Sequence, residues 1–186
     1  MANKPLPSQE VLRQLLSYDP ETGELVWKAR PIELFSETKD RTKAHACAQW
    51  NARHEGKPAM YGMNNTGYRW GRLFRRPYLT HRVIWKLVYG SDPVEQIDHI
   101  NGDRSDNRLV NLREATALQN GKNNGINRNN TSGYKGVCWV DRDRRWSAYI
   151  TSNGKRMSLG HHKCPTAAHL AYQKAASALH GEFARK

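Results

Sequence analysis

Long apolar runs are missing from this 186-residue chain, and the overall share of hydrophobic residues is low. At 38% it falls below a typical globular domain, which argues against one large core and for two small ones. No stretch approaches the ~18 apolar residues of a membrane span, and the opening MANKPLPSQE has no signal-peptide apolar region. A soluble, intracellular protein without a membrane partner is expected. Cysteine is scarce: Cys47, Cys138 and Cys164 are odd in number, widely spaced and never CxxC, which speaks against a disulfide framework or a zinc ribbon. His45, Cys47 and His54, like His161, His162 and Cys164, lack zinc-finger spacing, so no zinc is expected. Acidic residues are also few, 17 against 30 Lys and Arg, leaving a net charge of +13. The excess is uneven. Residues 121–186 hold 12 Lys/Arg against 3 Asp/Glu, whereas residues 1–120 hold 18 against 14. Such asymmetry suits a polyanionic partner, most simply nucleic acid.

The apolar pattern that does exist divides the chain. SQEVLRQLLS (8–17) has the spacing of a short amphipathic helix, and YDPETGELVWK turns into a strand ending near Trp27. Residues 31–60 show no legible period. NNTGYRWGRLFRRPYLT has the look of a β-hairpin rich in Arg and aromatics, and Arg69, Arg72, Arg75, Arg76 and Arg82 form a cluster placed either to track a backbone or to face solvent. THRVIWKLVYG predicts a helix with Thr80 as N-cap and Gly90 at its end; His81 could touch the scissile region, but facing away from Val83 and Ile84 it reads better as a surface phosphate contact or packing residue. GKNNGINRNNTSG (121–133) is the best linker, giving domains at 1–124 and 125–186. Beyond it, alternation predicts strands at 134–140, 145–151 and 155–160, with turns at 141–144 and Asn153-Gly154. An Ala-rich helix follows, its stripe drawn through Ala168, Ala171, Tyr172, Ala175 and Leu179.

QIDHINGDRSDNRLVNLREATALQN (96–120) is the most informative stretch. It is too polar for a core element, yet Ile97, Ile100, Leu109, Leu112 and Leu118 tie it to something packed. It reads as a strand, a long turn, a second strand from Asn111-Leu112 and a helix capped by Thr116. That path could bring Asp98, His99 and Asn120 together. Asp98 carboxylate and Asn120 carbonyl are oxygen donors suited to a hard divalent cation such as Mg²⁺. The His99 imidazole, with an ordinary pKa near ~6.5, can take a proton from water at neutral pH. A turn satisfied by its own Asx hydrogen bonds explains Asp-His and Asn-Gly equally well when those pairs are taken alone.

The complete pattern IDHINGDRSDNRLVNLREATALQN resembles the HNH nuclease family, in the phage-type and homing-endonuclease branch that ends on Asn. The resemblance implies a ββα-metal core, Asp98 and Asn120 as ligands of one Mg²⁺ or Mn²⁺, His99 as general base, and Asn111 as the residue that pins the loop. YDPETGELVWK, GKPA and LTHRVIWKLVYG extend the likeness over most of residues 8–124. The C-terminal part resembles the Apetala or ethylene-response-factor DNA-binding domain through Tyr134-Lys135-Gly136-Val137, Trp146–Ile150, Leu159-Gly160 and TAAHLAYQKAA. That family lays its sheet in the major groove. The matching readers are Lys135, Cys138, Val140, Tyr149, Thr151, Arg156 and Ser158, with phosphate contacts from Arg142, Arg144, Arg145 and Lys155. Trp146 takes the family's core-facing position. The expected fold is therefore α+β, an HNH core followed by a three-stranded antiparallel sheet on one helix. The expected function is metal-dependent cleavage of double-stranded DNA, as a free-standing homing endonuclease with no obligatory protein partner. The alternative is a sequence-specific DNA-binding regulator with an inactive nuclease fold.

Overall fold

The computed structural model describes residues 5–185, which form two compact units. The first comprises the chain through His99 together with Asp103–Glu114; the second comprises Ile100–Gly102 and the chain from Ala115 onward. The expected domain boundary at 124/125 falls inside the second unit. The mixture of helices with small antiparallel sheets is α+β, as the sequence predicts.

In the first unit, Ser8 caps helix α1 (Gln9–Leu15) by accepting from the Val11 amide, and Leu12 and Leu15 face the core. Strands β1 (Leu16–Asp19) and β2 (Glu24–Trp27) form a hairpin whose turn is closed by Asp19, which accepts from the Glu21 amide and the Thr22 hydroxyl. Helix α2 (Lys43–His54), capped by Thr42, occupies the region with no legible period. Its one buried residue is Ala46, so no apolar stripe announced it. Strand β3 (Pro58–Ala59) extends the β1–β2 sheet, and β4 (Gly62–Met63), β5 (Arg69–Leu73) and β6 (Arg76–Leu79) form a meander. Phe74 and Arg75 at the β5–β6 turn both have positive φ, 49° and 63°.

Helix α3 (Thr80–Tyr89) ends on Gly90 at φ +82°, as expected, but Thr80 is not its cap. Leu79 holds the cap position in extended geometry, and the Thr80 hydroxyl donates instead to the buried Met60 carbonyl at 2.7 Å. A tertiary hydrogen bond in the core outweighed a local one. Strands β7 (Gln96–His99) and β8 (Leu112–Ala115) make a two-stranded sheet. Ile97 and Leu112 join Leu12, Leu15, Leu25, Leu73, Val83 and Ile84 in one apolar cluster, which fixes the end of β7 on a rigid base.

The second unit opens on α4 (Ala117–Asn123), where Thr116 and Gln119 form a reciprocal capping box. Strands β9 (Val137–Val140), β10 (Arg145–Ser152) and β11 (Lys155–His162) follow in antiparallel order, packed on α5 (Pro165–His180). The buried stripe of α5 is Ala168, Tyr172, Ala176 and His180, a strict i+4 row; Leu179, expected on it, is exposed. Ala168 and Ala176 let the helix lie close to the sheet, while Tyr172 fills the space between them and His180 reaches the Thr151 carbonyl. Gly136 shows how close: at φ +72°, an added Cβ would overlap the Tyr172 ring and stand 2.6 Å from the Tyr149 carbonyl oxygen. Gly136→Ala is therefore expected to destabilise this unit by about 2–4 kcal/mol, combining left-handed strain with overpacking. Urea denaturation followed by Trp139 and Trp146 fluorescence measures it. No helix among the described residues is long and apolar enough to cross a membrane.

Candidate active site

Strand β7 delivers two neighbouring polar side chains into the first unit: Asp98 is 4% exposed and His99 3%. Burying both is tolerable only with partners. The His99 Nε2 lies 3.1 Å from Asn107 Oδ1. Asn107 is itself buried, and its Nδ2 donates to the Ser105 carbonyl, so Oδ1 is the atom turned to the imidazole. A carbonyl oxygen can only accept. Nε2 must then carry the proton, which makes Nδ1 the basic nitrogen. Burial lowers the His99 pKa, opposed by the Asn107 hydrogen bond and by the nearby carboxylates.

The loop that carries Asn107 is internally tied. Asp103 accepts from Ser105 through both its amide and its hydroxyl. Arg108 forms a two-pronged pair with Asp106 at 2.8 and 2.6 Å. Asn111, buried just before β8, donates from Nδ2 to the Asp106 carbonyl at 2.8 Å, and Tyr18 donates to the Asn107 carbonyl. Two residues on, Arg113 donates from Nε and Nη2 to Asp98 Oδ2, at 2.9 and 2.7 Å. Among the described residues no three or more His, Cys, Asp or Glu gather as a metal-holding group. A cation here would rest on few protein ligands, with Arg113 already on one of them. Asn120, the other expected ligand, lies half-buried on α4, in the second unit.

His81 corrects the sequence reading. It is buried, with its ring 5.1 Å from His99 in an edge-to-face arrangement and 5.2 Å from Tyr68. The expectation that it faced away from the core failed because His81 stands three residues before Ile84, on the same helical face. Desolvation, with His99 and Arg82 nearby, drops its pKa to about 3. His81 is thus neutral when folded and takes up a proton below ~6.5 when unfolded. The stability it allows is complete above that pH and is lost as pH falls, by up to about 1.4 kcal/mol per unit. His81→Leu is expected to flatten the loss of stability between pH 7 and 5, read from urea midpoints at the two pH values. Asn107, Arg113 and Tyr68 have no signal in the sequence that names them as site residues. Of the readings given for His81, the structure bears out packing and not a surface contact.

In the second unit the strand register gathers one polar face. Cys138 pairs with Ser147, Val140 with Arg145, Tyr149 with Ser158 and Thr151 with Arg156, all on the side opposite Val137, Ala148 and Ile150. The Arg156 guanidinium lies 3.5 Å over the Tyr149 ring. Arg142, Arg144, Arg145 and Lys155 are exposed around this face. Lys135 is different: its ammonium donates to the Lys122 and Asn124 carbonyls at 2.7 and 2.5 Å, which ties it to the backbone of its own unit. Trp146 packs with the Val137, Ala148 and Ala168 cluster.

Comparisons with known proteins agree with both halves. Residues 78–122 match the model of the HNH endonuclease family and residues 132–182 that of the AP2 domain. The chain is 32% identical over 106 residues to "Protein 3.8" of Escherichia phage T7, an overlap covering 56% of this chain and 87% of the phage protein. No solved structure matches. With the Asp-His strand, the Asn-bearing loop and the sheet-on-helix module each falling inside a matched segment, the chain belongs to the HNH endonuclease family and carries an AP2 DNA-binding domain behind its HNH segment.

Proposed function

We propose that the protein is a metal-dependent DNA endonuclease that hydrolyses phosphodiester bonds in double-stranded DNA, with its AP2 domain choosing the site, and that it works as a free-standing homing endonuclease. The observation that supports this reading most is the buried His99–Asn107 pair, in which Nε2 donating to Asn107 Oδ1 leaves Nδ1 as the basic nitrogen. His99 takes a proton from the attacking water at Nδ1, and Asn107 holds the ring as the imidazolium forms. Asp98 and Asn120 offer oxygen donors, a set that fits Mg²⁺ or Mn²⁺ rather than a soft ion. Such a cation, when bound, supplies charge stabilisation at the phosphate and the departing oxygen. Asn111 keeps the loop closed over the base through the Asp106 carbonyl. Tyr149, Thr151, Arg156 and Ser158 present donors and acceptors to base edges, while Arg142, Arg144, Arg145 and Lys155 hold phosphates.

One observation favours a second reading. The Arg113–Asp98 ion pair neutralises the carboxylate that a cation would need, as in a DNA-binding regulator that keeps the nuclease fold without its chemistry. The experiment that separates the two is cleavage of plasmid and genomic DNA with Mg²⁺, with Mn²⁺ and with excess EDTA. The nuclease reading expects cleavage with metal and none with EDTA, at unchanged circular dichroism. It also expects Asp98→Ala to lose more activity than Asn120→Ala, since a carboxylate brings charge that a carbonyl lacks. Binding without cleavage under every metal condition would favour the regulator.

A further inference from the structure

Helix α2 contributes little to any core, yet it walls a cavity of about 790 Å3 in the first unit, a size within the range of small-molecule sites. Its lining combines aromatic side chains, Trp27, Phe35, Trp50 and Phe74, with basic ones, Arg30, Arg41, Arg72 and Arg75, and no Asp or Glu lines it. Arg30 touches the aromatic set directly. Its guanidinium carbon lies 3.8 Å over the Trp50 ring and 5.0 Å over Trp27, and its Nε is buried without an acceptor. The backbone beneath is clamped by Asn51, which accepts from the Arg30 amide at 2.9 Å and donates to its carbonyl at 3.1 Å. A guanidinium serving only to hold the fold is ordinarily paired with a carboxylate or carbonyl. This one lies over the Trp50 ring and near Trp27, whose planes stand 87° apart, beside a cavity that no carboxylate lines.

We infer that this cavity binds one nucleotide of an unstacked DNA strand, the base against the aromatic side chains and the phosphate on Arg30 and its neighbours. The inference takes from the proposed function only that DNA is the polymer, and the cavity shares no residue with the Asp98–His99 cluster. Aromatic faces accept any base by stacking, and arginines track the phosphates, so the site is sequence-tolerant. It would hold a strand that has left the duplex, a contact no paired double helix can make with this surface.

The test uses the full chain carrying His99→Ala, so that cleavage is not read and failure of the nuclease mechanism leaves the result intact. The probe is an eight-residue oligothymidylate bearing 5-iodouracil, cross-linked by light and mapped by mass spectrometry. Cross-links to Trp27, Phe35 or Trp50 are expected. Because Arg30 and Trp50 variants could unfold α2, affinity is measured on the exposed Arg41→Glu and Arg72→Glu, with Arg13→Glu on α1 as the charge-matched control. Each cavity variant is expected to bind the oligonucleotide at least about fivefold more weakly than the control, since each reverses a phosphate contact. Cross-links confined to residues 134–162, or cavity variants that bind as tightly as the control, would overturn the inference.

Discussion

His99→Ala is expected to lower DNA turnover by about 10²–10⁴-fold while leaving affinity for DNA nearly unchanged. The imidazole is the one group in the 96–120 stretch that can accept a proton at neutral pH, and its orientation is imposed through Asn107. The ring packs against Tyr68 and His81, so its removal takes no exposed charge from the surface that DNA binds. Asn107→Ala should lose less, because the ring would keep its basicity but gain freedom to flip its tautomer. Single-turnover cleavage beside gel-shift titration separates the cases. A parallel loss of binding and cleavage would make His99 structural.

Replacing Arg142, Arg144, Arg145 and Lys155 together by glutamine is expected to weaken DNA binding by a hundredfold or more near ~0.1 M salt, and to make the slope of log K against log salt shallower by about three to four. These four side chains are exposed around the polar sheet face, and three of them stand at or beside the Asp141–Arg144 turn. Each phosphate neutralised contributes about −0.9 to that slope, so the change in slope reports how many phosphates the four cations neutralise. Cleavage of DNA held at saturating concentration should stay near the parent rate, since the base is untouched. An unchanged slope would mean that the charge on this face does not follow the DNA backbone.

The sequence disclosed what is periodic or local. Ser8 before α1, Gly90 after α3, Thr116 with Gln119 at α4 and Asn153-Gly154 between β10 and β11 all carry their structure in a few adjacent residues. Helix α2 stayed hidden because a helix that buries one alanine leaves no hydrophobic period to read. On α5 the expected Ala168 and Tyr172 are buried and Ala171 and Ala175 pack beside them, but at the helix end hydrophobicity points to Leu179, whereas the buried row continues through Ala176 and His180. Within the site, Asp98 and His99 were legible as a pair. Their partners were not: which Asn of the loop meets the imidazole, and that Arg113 meets Asp98, depend on a fold-back spanning 8 and 15 positions. Lys135 stood in a matching position, but only the fold reveals the carbonyls that hold its ammonium.

The most direct test of the endonuclease assignment is to incubate the protein and its His99→Ala variant with long phage and host DNA in Mg²⁺ and sequence every new end. Ends clustered at few sites are expected with the parent protein, absent with EDTA and strongly reduced with the variant. Intact DNA in Mg²⁺ and in Mn²⁺, under conditions where the protein is bound, would contradict it.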